Sequence, residues 1–336
     1  MAIEAEQTAT APLLDVRSLS VEFLTRDGAV RAINDVSFTL NRGEILGVVG
    51  ESGAGKSLTG LAIAGLIQPP GRIVGGEIRL AGQRIDGLSN RDMRRIRGKR
   101  VAMVFQDPQT SLDPLFRVGD QIVETIRAHL PLSRADARAR AIAHLDEVGI
   151  PAPERRIDAW PHEFSGGMRQ RVVIALALCA EPDLIIADEP TTALDVAVQA
   201  QILELMQRIC AQRGTAMMLV THDMGVIAEV ADRVAVMYAG RIVEIGPRAA
   251  VTGAPLHPYT DGLIGAIPTL DARADTLVQI PGTMPRLTAI PPGCAFQPRC
   301  SRAFAPCALH RPALRPVGDA RVACHLHDPA MTGALA

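Results

Sequence analysis

The sequence predicts an α/β fold: a parallel sheet with an N-terminal antiparallel β subdomain, a helical subdomain inserted into it and a small C-terminal Cys-containing extension. Three observations carry this reading. Apolar runs at Ile45–Val49, 184–187 (after Asp183) and 216–220 are short and unbroken, as expected of strands buried on both faces of a parallel sheet. Leu14, Val16, Leu19, Val21, Phe23, Val36, Phe38 and Leu40 instead follow a period of two, which predicts half-buried antiparallel strands with a turn at Asp27-Gly28. Ile122, Ile126 and Leu130 recur at helical spacing, and 134–148 is rich in Ala and Arg, both good helix formers.

Taken in order, the run Ile45–Val49 leads into a Gly-rich loop and a helix over 58–66. A strand over 101–105 precedes the helical insertion, and 233–245 reads as a strand pair turning at Ala239-Gly240. After about 250, Pro, Arg and Cys become frequent and periodicity fades, so the extension should be ordered by something other than a large apolar core. No repeat of 20–50 residues is visible, which disfavours a solenoid.

The 336 residues suffice for about two domains at ~150 residues each, and 48% hydrophobic against 21% charged residues can bury a sizeable core. Lys plus Arg number 35 and Asp plus Glu 36, a net charge of -1 that argues against a nucleic-acid-binding surface. Aromatic residues make up 3%, too few for a base-stacking platform. The N-terminus carries Glu4, Glu6 and Asp15 and no apolar stretch, so no secretory signal is read. The longest apolar run, 172–180, falls short of the roughly 18 residues that cross a bilayer.

Gly50-Glu51-Ser52-Gly53-Ala54-Gly55-Lys56-Ser57 matches G-x-x-x-x-G-K-[ST] between an apolar strand and a helix. Glycines let successive N–H groups converge on phosphate oxygens at the positive end of the following helix, which Leu58 continues. Lys56, one of only two lysines, would reach the β- and γ-phosphates, and the Ser57 hydroxyl would ligate Mg²⁺. A second apolar run ends in Asp188-Glu189; Asp188 would hold Mg²⁺ through water and Glu189 would orient an attacking water. This is the arrangement of a P-loop NTPase with a RecA-like core.

Between these two motifs, Phe164-Ser165-Gly166-Gly167-Met168-Arg169-Gln170 resembles the LSGGQ signature of ATP-binding cassette (ABC) ATPases, with Phe164 for the usual Leu and Met168 for the usual Gln. Gln106 resembles the Q-loop glutamine, Ala193-Leu194-Asp195 the D-loop and His222 the switch histidine. The resemblance covers about 14 to 250 and implies two such chains packed head to tail around two ATP molecules. Each ATP would lie between 50–57 of one chain and Ser165, Gly166, Gly167 and Met168 of the other. It further implies that His222 contacts the γ-phosphate, that Gln106 senses Mg²⁺ and the attacking water, and that Phe23 takes the place of the aromatic residue that stacks on adenine.

Two longer stretches, 106–114 and 161–171, and His257-Pro258-Tyr259-Thr260 resemble the dipeptide/oligopeptide and nickel importer branch of that family. The expected domains are an ABC ATPase domain over 1–255, its helical subdomain at about 107–180, and a transporter-type extension over 256–336. The resemblance implies a paralogous ATPase chain, two membrane permease subunits and an extracytoplasmic peptide-binding protein as partners, at the cytoplasmic face of the cell membrane. Peptide is the favoured cargo, with nickel or another small solute as the alternative. A soluble ABC ATPase acting on nucleic acid, or a small-molecule kinase, is the competing class; the single phosphate loop speaks against the first and the Ser-Gly-Gly element against the second.

Cys294-x5-Cys300-x6-Cys307-x16-Cys324 offers four thiolates, suited to Zn²⁺ or an iron–sulfur cluster. Resemblance to importer ATPases favours a structural 4Fe–4S cluster over Zn²⁺. His310, His325 and His327 are nearby alternative ligands, expected to be solvated, while Cys179 and Cys210 fall in helix-like stretches of the core.

Overall fold

The computed structural model describes residues 11–26, 28–192, 194–267 and 279–332. Asp27 of the expected turn and Ala193 of the expected D-loop lie outside the described residues. In chain order the strands are β1 (Leu14–Thr25), β2 (Gly28–Leu40), β3 (Ile45–Val49), β4 (Gly71–Leu80), β5 (Gln83–Arg84), β6 (Val101–Val104), β7 (Leu184–Asp188), β8 (Ala216–Thr221), β9 (Arg233–Tyr238), β10 (Arg241–Pro247), β11 (Arg315–Val317) and β12 (Ala320–Val322).

They form two sheets. The first is antiparallel, in the order β2-β1-β4-β5, with Leu14 of β1 opposite Leu40 on one side and Leu80 on the other. The second runs β11-β12-β10-β9-β3-β8-β7-β6, and its β9-β3-β8-β7-β6 portion is parallel. Alternate residues of a strand point to opposite faces, so β3 sends Ile45 and Val49 into one core and Leu46 and Val48 into the other. β7 and β8 divide in the same way, with Ile185 and Leu219 in one core and Ile186 and Met218 in the other. Burial of each such aliphatic side chain contributes roughly 1.5–3 kcal/mol, which is why polar residues are excluded from these runs.

Between β6 and β7 the chain forms the helices Val118–His129, Arg134–Glu147 and Gly166–Leu178 together with shorter turns. Ile122 and Ile126 are fully buried, and Ser133 caps the second helix by accepting the Asp136 N–H. Among the described residues, no helix is long and apolar enough to cross a membrane.

The chain beyond 256 is expected to be ordered by something other than a large apolar core, and much of its order comes from pairing with the core sheet. Its strand β12 pairs with β10, placing Val322 opposite Glu244, and β11 pairs with β12, so the extension enlarges the core sheet. Both tyrosines of the chain, Tyr238 of β9 and Tyr259 of the helix Pro258–Gly265, pack against each other at a centroid separation of 4.7 Å and against Phe296 at 5.3 and 5.4 Å. Glu244 is completely buried, and its two carboxylate oxygens accept the N–H groups of Leu256 and His257, each at 2.9 Å. Few residues thus hold the extension, but they are large, buried and hydrogen-bonded.

Candidate nucleotide site

The loop after β3 turns on glycines that no other residue replaces without strain. Gly50 has φ +155°, and a Cβ there would lie 2.2 Å from the Met237 carbonyl oxygen; Gly55, with φ +103°, precedes the helix Lys56–Ile63. The helix therefore begins at Lys56, two residues earlier than the sequence pattern indicates. Lys56 is 5% exposed, and its Nζ donates to the carbonyls of Gly50 at 2.7 Å and Glu51 at 3.1 Å. Burial lowers its pKa, opposed by the negative charges of Glu189, Asp188 and Glu51.

The end of β7 meets this loop. Ser57 Oγ donates to Asp188 Oδ1 at 2.7 Å, so the two expected Mg²⁺ ligands are in contact. Burial raises the Asp188 pKa, and the neighbouring Glu189 charge adds to the rise while the Ser57 hydrogen bond and Lys56 oppose it. Glu189 has φ +47°, a left-handed conformation costing about 1–3 kcal/mol in a non-glycine residue, and its N–H donates to the Val220 carbonyl at 2.8 Å.

That turn delivers the Glu189 carboxylate to a point where three side chains converge. Gln106 Nε2 and Thr192 Oγ1 each donate to its Oε2 at 3.0 Å, and His222 Nδ1 lies 3.1 Å from its Oε1. Burial works to raise the Glu189 pKa, but the hydrogen bonds from His222 and Thr192, with the Lys56 charge, outweigh it and hold the pKa below the usual carboxylate range. The result is two adjacent carboxyl groups driven in opposite directions, Asp188 up and Glu189 down. Gln106, Glu189, Thr192, His222 and the 50–58 loop line one cleft of about 830 Å³. Glu51, Ser52, Gly53 and Leu58 are part of that lining, whereas Ala54 is buried behind the loop.

Several expected residues lie elsewhere. Phe23 does not line the cleft; its half-buried ring packs on Gly71, where a Cβ would come within 2.6 Å of it. Ser165, Gly166, Gly167 and Met168 are also outside the cleft of their own chain. Ser165 caps the helix Gly166–Leu178, accepting the Met168 N–H at 3.4 Å, and Asp195 caps the helix Val196–Arg213 by accepting the Val198 N–H at 2.9 Å.

The sequence pattern missed Thr192, whose only signal is its place three residues after Glu189. It also missed Leu263 and Leu287, which bring the extension to the rim of the cleft.

A family model for the ABC transporter matches residues 33–192, and one for the oligopeptide/dipeptide transporter C-terminal region matches 243–307. The oligopeptide transport ATP-binding protein OppD of Escherichia coli (strain K12) is 48% identical over 308 residues, covering 92% of this chain and 91% of its own. The chain belongs to the ABC transporter ATPases. OppD of Bacillus subtilis (strain 168) is 53% identical to this ABC ATPase over 294 residues, 87% of this chain and 82% of its own. The fold is similar to the ATP-binding cassette MJ0796 in a dimeric post-hydrolysis state bound to ADP and Pi, with TM-score 0.63, 25% identity, and coverage of 70% of this chain and 98% of that one. It is equally similar to cbiO1 from Clostridium perfringens, part of the ABC transporter complex cbiONQ, with TM-score 0.63, 27% identity, and coverage of 72% and 91%.

In this ABC ATPase the cysteine segment departs from expectation. Cys294, Cys300, Cys307 and Cys324 are free thiols close enough that the charges of the other three act on Cys324, whose pKa is pushed up to about 11, mainly by burial. Burial also raises the pKa values of Cys294 and Cys300. Among the described residues, no three His, Cys, Asp or Glu side chains are grouped so as to hold a metal ion. The expected 4Fe–4S or Zn²⁺ site therefore gains no support from the placement of these side chains.

The three histidines are not the uniformly solvated group expected either. His325 is buried with Nε2 2.8 Å from the His310 carbonyl oxygen, and His327 Nε2 lies 2.9 Å from the Leu256 carbonyl oxygen; His310 is exposed. Cys179 and Cys210 are core residues as expected, and burial pushes both thiols up to about 12.

Proposed function

We propose that this chain is the ATP-hydrolysing subunit of an importer that carries di- and oligopeptides through separate membrane permease subunits. One observation carries the enzymatic part: the Glu189 carboxylate, kept ionised and oriented by Gln106, Thr192 and His222, faces the cleft formed by the phosphate loop. The peptide part is supported by the C-terminal region match and by the names of the OppD relatives.

In this reading the N–H groups of 50–57 cradle the phosphates, and Lys56 exchanges its two loop carbonyls for phosphate oxygens. Mg²⁺ would be held by Ser57, Gln106 and Asp188, and would supply charge neutralisation on the phosphates. Glu189 orients the attacking water and draws its proton, and His222 hydrogen-bonds the γ-phosphate. A second ATPase chain, a paralogue of this one, offers its counterparts of Ser165, Gly166, Gly167 and Met168 across the interface, with the Asp195 loop beside them. The signature helix, with its start pre-capped by Ser165, suits such anion contact.

Docking to permeases at the cytoplasmic face of the membrane is supported by apolar exposure on either side of Gln106. Phe105, Leu115 and Phe116 are 42%, 76% and 55% exposed, and Phe105 borders a groove of about 350 Å³ with Ser111, Val173 and Leu176. The extracytoplasmic peptide-binding protein would act through the permeases, and no nucleic acid is involved. The finer reading of the cysteine segment, a 4Fe–4S cluster or Zn²⁺ on Cys294, Cys300, Cys307 and Cys324, rests on the resemblance alone. Iron, sulfide and zinc analysis of anaerobically purified protein tests it, and metal-free protein ends it.

The transport reading is tested by reconstituting the whole assembly in vesicles with Glu189→Gln. ATP-driven peptide uptake should be lost while ATP binding persists; uptake at the wild-type rate would refute the scheme.

A further inference from the structure

Glu51 lies inside the phosphate loop, yet it is held from the other end of the chain. Arg299 Nη1 donates to Glu51 Oε1 at 2.9 Å and Oε2 at 3.0 Å, and to the Tyr238 hydroxyl at 3.3 Å. The Tyr259 hydroxyl accepts the Glu51 N–H at 2.8 Å. The Arg299 side chain is 6% exposed, and its guanidinium sits 5.8 Å from the ring centres of both Tyr238 and Phe296. Its remaining donors serve the extension, with Nε on the Pro281 carbonyl at 2.8 Å and Nη2 on the Ile280 carbonyl at 3.4 Å. The segment tied down in this way carries Met284, whose methyl lies 3.1 Å from where a Gly53 Cβ would be, and Leu287 at the cleft rim.

We infer that Arg299 is a positioning residue for ATP binding, through which the C-terminal extension holds the phosphate loop in its nucleotide-ready shape. The route is short. Arg299 fixes the Glu51 side chain, Tyr259 fixes its N–H, and the Glu51 carbonyl is one of the two that seat Lys56. A loop of flexible glycines otherwise gives up conformational freedom on meeting phosphate, and a loop already held gives up less, which appears as affinity. A guanidinium suits the task because its planar fork serves Glu51 and two carbonyls together, whereas a lysine ammonium is a single point of charge. A merely structural clasp would change thermal stability and leave nucleotide affinity alone.

The inference rests on ATP occupying this cleft, and the experiment separates the two. Mg-ATP binding to the full-length chain is titrated for wild type, Arg299→Met, Glu51→Gln and the double variant, with steady-state turnover of the complete assembly alongside. Each single variant should raise the ATP Kd about 10-fold and the double no further than about twofold beyond either, and in Arg299→Met, outside the phosphate loop, kcat at saturating ATP should stay within about threefold of wild type. An unchanged Kd in folded Arg299→Met, or single effects that multiply in the double variant, would overturn the inference. If Arg299→Met does not fold, Arg299→Lys and Tyr259→Phe decide: a Kd raised severalfold in both supports it, and a wild-type Kd in either overturns it. Wild-type protein that binds no ATP would instead sink the nucleotide-site reading itself.

Discussion

The phosphate loop and the C-terminal extension meet at Glu51 but are built on different physics. The loop is contiguous: Gly50 to Gly55 lie between β3 and the helix Lys56–Ile63, whose first residues are Lys56 and Ser57, and positive φ values at Gly50, Gly53 and Gly55 set its path. The extension has no comparable run. Tyr259 and the single turn that carries Phe296 and Arg299 come from separate segments and are assembled around Tyr238 of the core sheet. A short-range motif is resilient because backbone conformation specifies it, whereas a junction assembled over distance depends on each large side chain. The comparison therefore assigns chemistry to core residues and affinity or stability to extension residues, and variants on either side can break it.

The largest effect is expected at Glu189. Glu189→Gln keeps the shape of the side chain but removes the negative charge, and turnover should fall about 10²–10⁴-fold with the melting temperature little changed. A comparable loss of kcat from any extension variant would erase the distinction between the two regions. Next comes Phe296→Ala, which empties the space beside Tyr238 and Tyr259 and should cost about 3–5 kcal/mol of stability. Limited proteolysis should then cut within 279–332 first; if the extension stays as resistant as in wild type, the aromatic trio is not what holds it.

How much of this was legible in the sequence follows the same divide. β3, β7 and β8 were readable because strands buried on both faces admit little but Val, Ile, Leu, Ala and Met, and the Gly50–Ser57 string because each residue type there has a local reason. Lys56, Ser57, Asp188, Glu189, Gln106 and His222 converge as expected. Phe23 did not, because an aromatic at a strand end can equally be covered by its neighbour strand, here at Gly71. Glu51–Arg299 and Glu244–His257 could not be read at all. Each joins residues whose sequence separation carries no period, and a buried carboxylate looks in sequence like any surface acid.

A pH titration sharpens the comparison from the extension side. His257 is fully buried and lowered to about 3 by burial, with His327 adding to the fall, and its Nδ1 accepts the Tyr259 N–H at 3.0 Å. The folded chain thus binds a proton at this site less readily than the unfolded chain, whose histidine titrates near its ordinary value of about 6.5. Stability from this group is complete above that value and is lost as the pH falls from there toward 3. By pH 5 the loss should be about 2 kcal/mol, and His257→Gln should flatten the acid limb of denaturation curves. An identical limb in the variant would place the acid sensitivity elsewhere.

The smallest effect returns to the core. Thr192 is one of the groups that hold the Glu189 pKa down, and it donates a single hydroxyl at 3.0 Å. Thr192→Val keeps the branched shape and removes that donor, a loss of about 1 kcal/mol in favour of the ionised carboxylate. The Glu189 pKa should rise, moving the acidic limb of the turnover profile to higher pH while the rate on the plateau falls only severalfold. ATP affinity should not change, since Thr192 acts on the carboxylate and leaves the Glu51 and Lys56 contacts intact. Opposite signatures are thereby expected on the two sides of one cleft: Thr192→Val shifts a pH profile without altering Kd, and Arg299→Met alters Kd without shifting the profile. Measuring both quantities for both variants exposes any overlap, and a Kd change in Thr192→Val would mean that the loop and the Glu189 carboxylate move as one unit.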